Sequence, residues 1–443
     1  MADEIKQLDA SGRVLKNWNP ENPDQWSSKI AWTTLVISTY SMVLAFSVWF
    51  LVSALAPKLN EIGFQLTPAQ LYWLAAMPGL SGGLIRLIYT FLPPMIGTRK
   101  LVGVSSLLFT IPMFGWFFAV QDVSTPFWWL LVLSFMCGIG GGSFSGYMPS
   151  TGYFFPKRLA GTALNLQAGI GNLGMSIIQL AAPALMGSAL FGMTWIAPQT
   201  DSADNPIWVS NPAIFFVPWA ILAAILSFAM LKDVPVKANI REQLDIFSNP
   251  NTWYMTLLYV MTFGIFSGAS AQFGLLINNN YGAQSALGLA VQGATYAFLG
   301  PLIGSLVRVA WGPLCDRFGG GIWTFVSGVG MAVTLLISGY FVVNPGSNAD
   351  FKGFLWAMLI MFFFAGVGNA GTFKQMPMIM PKRQAGGAIG FTAAVAALGP
   401  FLVGVCLSMM AAATFFFGAA IYCIICSAIC WMRYARKNAP FPG

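Results

Sequence analysis

The chain has no histidine, and only 8% of its 443 residues are charged. An ordinary soluble domain carries about 25%. The missing imidazole removes the commonest general base and metal ligand. No nucleophile–base pair and no metal-ligand cluster takes its place, so the reading is no enzyme, no catalytic residue, no metal and no cofactor. Cysteine is scarce as well. Cys137, Cys315, Cys406, Cys423, Cys426 and Cys430 lie in or beside apolar stretches, which excludes a disulfide framework. The run Cys423-Ile-Ile-Cys426 reads as small apolar packing, since no His or carboxylate accompanies it. Acidic residues are the third shortage: all 14 Asp and Glu fall in the N-terminal arm or in the connections between apolar stretches. Five of them, Asp3, Glu4, Asp9, Glu21 and Asp24, make the first residues polar, so no cleavable signal peptide is expected.

Apolar residues are abundant instead, at 57%. Stretches long enough to cross a ~30 Å hydrocarbon core recur along the whole chain. They predict an all-α membrane protein with twelve transmembrane helices, at about 31–56, 67–92, 101–120, 127–152, 161–190, 212–232, 252–278, 285–312, 322–343, 353–380, 386–411 and 413–434. Lys and Arg gather on the cytoplasmic side of membrane proteins. With the N-terminus inside, seventeen of the 22 lie in cytoplasmic segments, only Lys58 and Lys352 lie outside, and three lie within spans. The net charge of +8 therefore reports topology, not a nucleic-acid partner. The expectation is a multi-pass protein of the inner (plasma) membrane, a monomer in the lipid bilayer, with both termini cytoplasmic.

The three basic residues within the spans are Arg86, Arg308 and Lys374. An ionisable group at that depth costs roughly 3 kcal/mol or more and rarely persists without a role. It usually pairs with an acid on a neighbouring helix, but the predicted spans contain none. The simplest source of negative charge is a bound anion, which points to an anion transporter. The alternative is that each arginine ties down backbone carbonyls at a helix kink.

The chain also repeats itself once. Gly82-Gly-Leu-Ile-Arg86 recurs as Gly304-Ser-Leu-Val-Arg308, and Pro156-Lys-Arg-Leu-Ala-Gly161 as Pro381-Lys-Arg-Gln-Ala-Gly386, each about half the chain later. Two six-helix halves, 31–232 and 251–434, follow, with a cytosolic arm over 1–30, a linker over 233–250 and a tail over 435–443. Gly312-Pro-Leu-Cys-Asp-Arg-Phe-Gly319, placed in the loop after span eight, resembles the loop motif of the major facilitator superfamily. Its halves are related by an axis along the membrane normal, with sites at their interface. Symmetric guanidiniums there would repel each other unless an anion sat between them, and their planar donor forks suit an oxyanion. The surrounding helices are rich in glycine, which lets helices approach closely and leaves a narrow path. Gly169-Ile-Gly171-Asn172-Leu-Gly174 is no dinucleotide fingerprint, because it lies inside a span and follows no strand. Tyr259 and Phe263 share a face of span seven.

The chain resembles the nitrate/nitrite porter (NarK-type) family of that superfamily over nearly its full length. The likeness is carried by Trp18-Asn-Pro-Glu-Asn-Pro-Asp-Gln-Trp26, Leu66-Thr-Pro-Ala-Gln-Leu71, Pro78-Gly-Leu-Ser-Gly-Gly-Leu-Ile-Arg86, Ala168-Gly-Ile-Gly-Asn-Leu-Gly174 and Gly366-Val-Gly-Asn-Ala-Gly-Thr-Phe373. The resemblance implies that Arg86 and Arg308 hold nitrate or nitrite between them. It further implies that Phe46, Phe144, Tyr259, Phe263, Phe373 and Asn172 line the cavity, and that Gly169, Gly171, Gly174, Gly366, Gly368 and Gly371 are signature glycines of the moving helices. Gln167 stands where some members have Asn.

The family includes both nitrate/nitrite exchangers and nitrate–proton symporters. The segment Phe373-Lys374-Gln-Met-Pro377 resembles the symporter branch, where a desolvated lysine beside two arginines would titrate near neutrality and carry a proton. The reading therefore leans to symport, with antiport as the alternative and a Lys374 that snorkels to water as the simpler role. An exchanger of a larger anion such as an organophosphate, and a sensor that binds without transporting, are the more distant readings.

Overall fold

A computed structural model describes residues 8–9, 11–189, 197–234, 244–283, 285, 287–289, 291–343 and 345–441. Within them twelve helices are long and apolar enough to cross a membrane. Spans one to six are Ser28–Ile62, Pro68–Tyr89, Thr98–Ala119, Phe127–Gly152, Lys157–Met186 and Asn211–Met230. Spans seven to twelve are Pro250–Tyr281, Gly293–Phe318, Gly320–Val343, Asn348–Ile379, Gln384–Met409 and Ala412–Ala435. The only β-pairing between strands among the described residues is a two-residue ribbon, Gln199–Thr200 against Pro206–Ile207, between spans five and six.

Local chemistry sets the helix starts. Thr67 and Gln70 form a reciprocal capping box ahead of Pro68, which has no N–H to lose at a first-turn position. Ser27 and Asn249 cap spans one and seven with side-chain oxygens. Two boundaries differ from the sequence-based expectation in ways that matter. Span eight runs from Gly293 to Phe318, not 285–312, because Gly312-Pro-Leu-Cys-Asp316-Arg317 continues the helix and only Gly319, at φ 86°, ends it. Span seven is interrupted at Val260–Gly264 by a π-helical turn directly after Tyr259.

Packing follows the small residues. Span four closes on spans one and two through its glycine run, where a Cβ on Gly138 would sit 2.6 Å from Gly82 N and one on Gly141 2.6 Å from the Trp49 ring. Trp49 in turn donates its indole N–H to Pro78 O at 2.9 Å. Spans nine, ten and twelve pack together similarly, and span eight lies against ten and five. The span five glycines face two neighbours: Gly171 and Gly174 face Met42 and Val43 of span one, whereas Gly169 faces Val309 of span eight.

The N-terminal arm is fastened to the face that carries both chain ends. Trp18 and Trp26 donate to Tyr153 O and Phe154 O, at 3.0 and 2.9 Å, between spans four and five. Glu21 accepts the Lys157 N–H, and Leu15 N–H reaches Asp233 O at the exit of span six. Of the proposed linker, residues 235–243, with Lys237, Arg241 and Glu242, lie outside the described residues, as does Lys6.

Candidate functional site

Arg86, on span two, is fully buried and Arg308, on span eight, is 4% exposed. Arg86 Nε donates to Gly141 O at 2.8 Å and Nη1 to Ala393 O at 2.9 Å, so the carbonyl-anchoring alternative holds for two of its nitrogens. Among the described residues, Nη2 of Arg86 and both terminal nitrogens of Arg308 have no protein partner. A guanidinium taken from water without compensation costs several kcal/mol. Here two of them lie within electrostatic reach of each other.

Aromatic rings enclose the pair. The Arg86 guanidinium lies 4.8 Å from the Phe144 ring, 5.4 Å from Trp49 and 5.5 Å from Phe263; that of Arg308 lies 5.1 Å from Phe373. The rings themselves form a chain. Phe46 stacks on Phe144 at 6.2 Å, Phe144 meets Phe373 edge-on at 6.2 Å, Phe373 lies 6.0 Å from Tyr259, and Tyr259 stacks on Phe263 at 5.3 Å. The six predicted lining residues thus divide simply: five rings are contiguous around the arginines, and the sixth, Asn172, is fully buried with both amide atoms unpartnered. The Tyr259 hydroxyl and Ser305 Oγ are likewise buried without protein partners. Ring faces attract cations at about 0.5–2 kcal/mol each, so the cage offsets part of the charge burial and leaves the donor edges free.

Lys374 departs from expectation. Its ammonium pairs with the carboxylate of Asp316, which span eight's extra turn carries to the side of span ten. The statement that the lysine has no acidic partner is therefore corrected, and its cause is the misplaced end of span eight. Both groups also see solvent, with side-chain exposures of 38% and 62%. Lys374 lies near the end of span ten, paired with the end of span eight. Gln167 is spent elsewhere, donating to Ser38 and Thr151.

The seam between the first and last six spans is closed on the opposite face. Gln179 donates to Ser270 O and Ser176 to Phe298 O, both at 2.9 Å, and Gln272 to Tyr72 O at 3.4 Å. A Cβ on Gly79 would press on Phe401 N at 2.5 Å. Toward the terminal face the packing loosens, and Gly161, Gly312 and Gly386 have no neighbour within 4 Å of such a Cβ. A cavity of about 630 Å³, lined by Gln292, Tyr296, Asn348, Lys352 and Trp356 among others, holds none of the predicted site residues.

One residue of the signature stretches escaped the sequence reading as a site residue. Asn369 is fully buried, and neither amide atom has a protein partner. The signal was present: Gly169-Ile-Gly-Asn172-Leu-Gly174 and Gly366-Val-Gly-Asn369-Ala-Gly371 are the same Gly-x-Gly-Asn-x-Gly string.

A twelve-span bundle with a paired-arginine cage at its centre is the architecture of a membrane transporter. The family model described as Major Facilitator Superfamily matches residues 37–402. The chain is 52% identical to the "Probable nitrate/nitrite antiporter NarK2" of Thermus thermophilus, over 98% of this chain and 99% of that protein. It is 33% identical to the "Nitrate/nitrite transporter NarU" of Escherichia coli (strain K12), over 96% and 97%. Among solved structures, a D-xylose-proton symporter superposes with a TM-score of 0.68 at 13% identity, covering 93% of this chain and 98% of that one, which speaks to the fold alone. The chain belongs to the Major Facilitator Superfamily, in its nitrate/nitrite porter (NarK-type) family.

Proposed function

We propose that the protein carries nitrate and nitrite across the membrane by alternating access, exchanging one for the other. The observation that carries this reading is the set of three unpartnered guanidinium nitrogens, buried with no acid paired to them among the described residues. An anion with several oxygens satisfies them together and cancels the repulsion between Arg86 and Arg308. Phe46, Phe144, Tyr259, Phe263 and Phe373 shape the space to a small planar ion, and Asn172 adds an amide. The two six-span units, 31–232 and 251–434, rock about this point as the closed seam of Gln179, Ser176 and Gln272 parts.

Exchange is favoured over proton symport by Lys374. Symport rested on Lys374 lying as a lone cation beside the two arginines, whereas its ammonium is paired with Asp316 and both groups are partly exposed. The 52% identical relative is also described as an antiporter. Exchange needs no titrating group, because an outgoing nitrite cancels the charge of an incoming nitrate. The orientation in this proposal, with both ends cytoplasmic, is supported by the Lys and Arg bias toward the terminal face.

Purified protein in proteoliposomes tests the proposal. Nitrate uptake should rise sharply when nitrite is loaded inside and stay low in empty vesicles with or without an inward-acid gradient. Binding without flux would make the protein a sensor, and exchange of a phosphate ester instead would move it to the larger-anion class.

A further inference from the structure

The buried amide of Asn369 has no task in the fold. Its helix position is fixed by its neighbours on span ten. Three residues earlier Gly366 abuts Gly304 of span eight, where a Cβ would lie 2.5 Å from the carbonyl oxygen. Three residues later Thr372 meets Thr262 of span seven, hydroxyl to hydroxyl at 3.4 Å. At 3.6 residues per turn Asn369 falls on the arc between those two contacts. It therefore points between spans seven and eight, toward the centre of the bundle. Phe373, four residues on and on the same face, carries the Arg308 guanidinium 5.1 Å from its ring and lies 6.0 Å from the Tyr259 ring. A buried amide with both atoms unpaired costs roughly 1–3 kcal/mol for each polar group, so it is retained against a penalty.

Resting on the anion-site reading above, we propose that Asn369 is a second amide of the site, alongside Asn172, and that its N–H selects nitrate over nitrite. The amide nitrogen donates to an anion oxygen, while Oδ1 is free to accept from a guanidinium N–H. The free Nη2 of Arg86 and the two free terminal nitrogens of Arg308 satisfy two oxygens of a planar oxyanion. Nitrate presents a third oxygen, and nitrite presents only a lone pair on nitrogen in that direction. A donor aimed there is met by the first anion and left poorly paired by the second, which is the arrangement that discriminates most strongly between close analogues.

The test compares Asn369→Leu and Asn369→Asp with the full-length wild type, by thermal melting and by anion binding. In Asn369→Leu nitrate affinity should fall about tenfold or more, the worth of a hydrogen bond to a charged group, while nitrite affinity falls less. In Asn369→Asp the new carboxylate should neutralise the unpaired guanidinium. That protein should melt higher without any anion and gain nothing from added nitrate. An unchanged nitrate-to-nitrite preference in the leucine variant, at whatever overall rate, overturns the inference. So does an aspartate variant that misfolds, or that is destabilised yet still stabilised by nitrate. Wild type that responds to phosphate but to neither nitrogen oxyanion would refute the nitrate reading separately. The same variants titrated with phosphate would then show whether Asn369 still touches the anion.

Discussion

Arg86 reaches across the molecule: its Nη1 donates to the carbonyl of Ala393, 2.9 Å away on span eleven, while Nε holds Gly141 on span four. Arg308 makes no such bond with its terminal nitrogens. Symmetry of sequence thus conceals an asymmetry of duty. Arg86 ties three helices together and offers one nitrogen to an anion, whereas Arg308 offers two and ties nothing.

The two arginines should therefore part company when removed. Arg308→Met deletes an uncompensated buried charge, so the protein should melt at or above the wild-type temperature in anion-free detergent. Arg86→Met removes the two hydrogen bonds that tie span two to Gly141 and Ala393, although Ala393 O keeps the Ala397 N–H, and should cost about 1–3 kcal/mol. Both variants should lose anion binding. Equal melting temperatures for the two would show that the Gly141 and Ala393 bonds contribute nothing.

Replacing either arginine by lysine keeps the charge and removes the fork. Transport should fall by about 100-fold or more in Arg86→Lys and Arg308→Lys, read as nitrate uptake into nitrite-loaded vesicles. Near-normal flux in both would exclude a paired-guanidinium site.

The glycines should rank by what they face. A Cβ on Gly174 collides with the Val43 carbonyl and comes within 2.9 Å of Phe46 Cβ, and neither can yield without moving span one. A Cβ on Gly171 meets Met42 Sδ at 2.7 Å, the far part of a flexible side chain. Gly174→Ala should abolish flux, Gly171→Ala should reduce it only a few-fold, and Gly386→Ala should be silent. Measured uptake in the reverse order would mean that close packing of span five against span one is not what the site requires.

Much of this was legible in the residues because membrane physics is restrictive: apolar length marks the spans, and a buried charge without a counter-charge marks the site. The five rings and Asn172 came from family likeness, since spacing alone does not tell a lining ring from a lipid-facing one. Three features were hidden. Asp316 was assigned to a loop because Gly312-Pro313 looked like a helix end, yet a proline is tolerated in a helix once neighbouring segments cover it. Asn369 is visible in sequence only as one letter of the Gly366–Phe373 stretch, because nothing in the string itself shows that its amide is buried without a partner. The docking of the arm is the third, because nothing in its composition reveals that Trp18 and Trp26 hydrogen-bond to the link between spans four and five.

That arm should stay folded across the physiological pH range. The Asp9 carboxyl is held down at about 2, first by the Ser11 hydroxyl and then by the Val14 and Arg13 N–H groups. A carboxyl lowered by folding stabilises fully above its unfolded value near 3.9 and loses that contribution as pH falls through about 2. Hydrogen exchange at residues 11–14 should therefore show no added opening between pH 8 and pH 5. Asp9→Asn should open the same segment at every pH. Opening of the wild-type arm at pH 5 would show that another group controls it.

The last prediction concerns coupling, and it turns on the pair formed by Lys374 and Asp316. Moving nitrate into a compartment that is electrically negative is uphill by ~2.3 kcal/mol per 100 mV. Some other charge must travel, either a proton inward or a second anion outward. A lysine that carries the proton must be free to give it up during the cycle, and in this structure the Lys374 ammonium is engaged in an ion pair with Asp316 instead of facing the two arginines. A partly exposed ion pair contributes about 0–1 kcal/mol. Lys374→Gln should accordingly leave nitrite-driven nitrate uptake within about fivefold of wild type, and neither protein should accumulate nitrate on an inward-acid gradient alone. Proton-driven accumulation that is present in wild type and lost in Lys374→Gln would reverse the assignment, making the lysine the proton carrier and the protein a symporter.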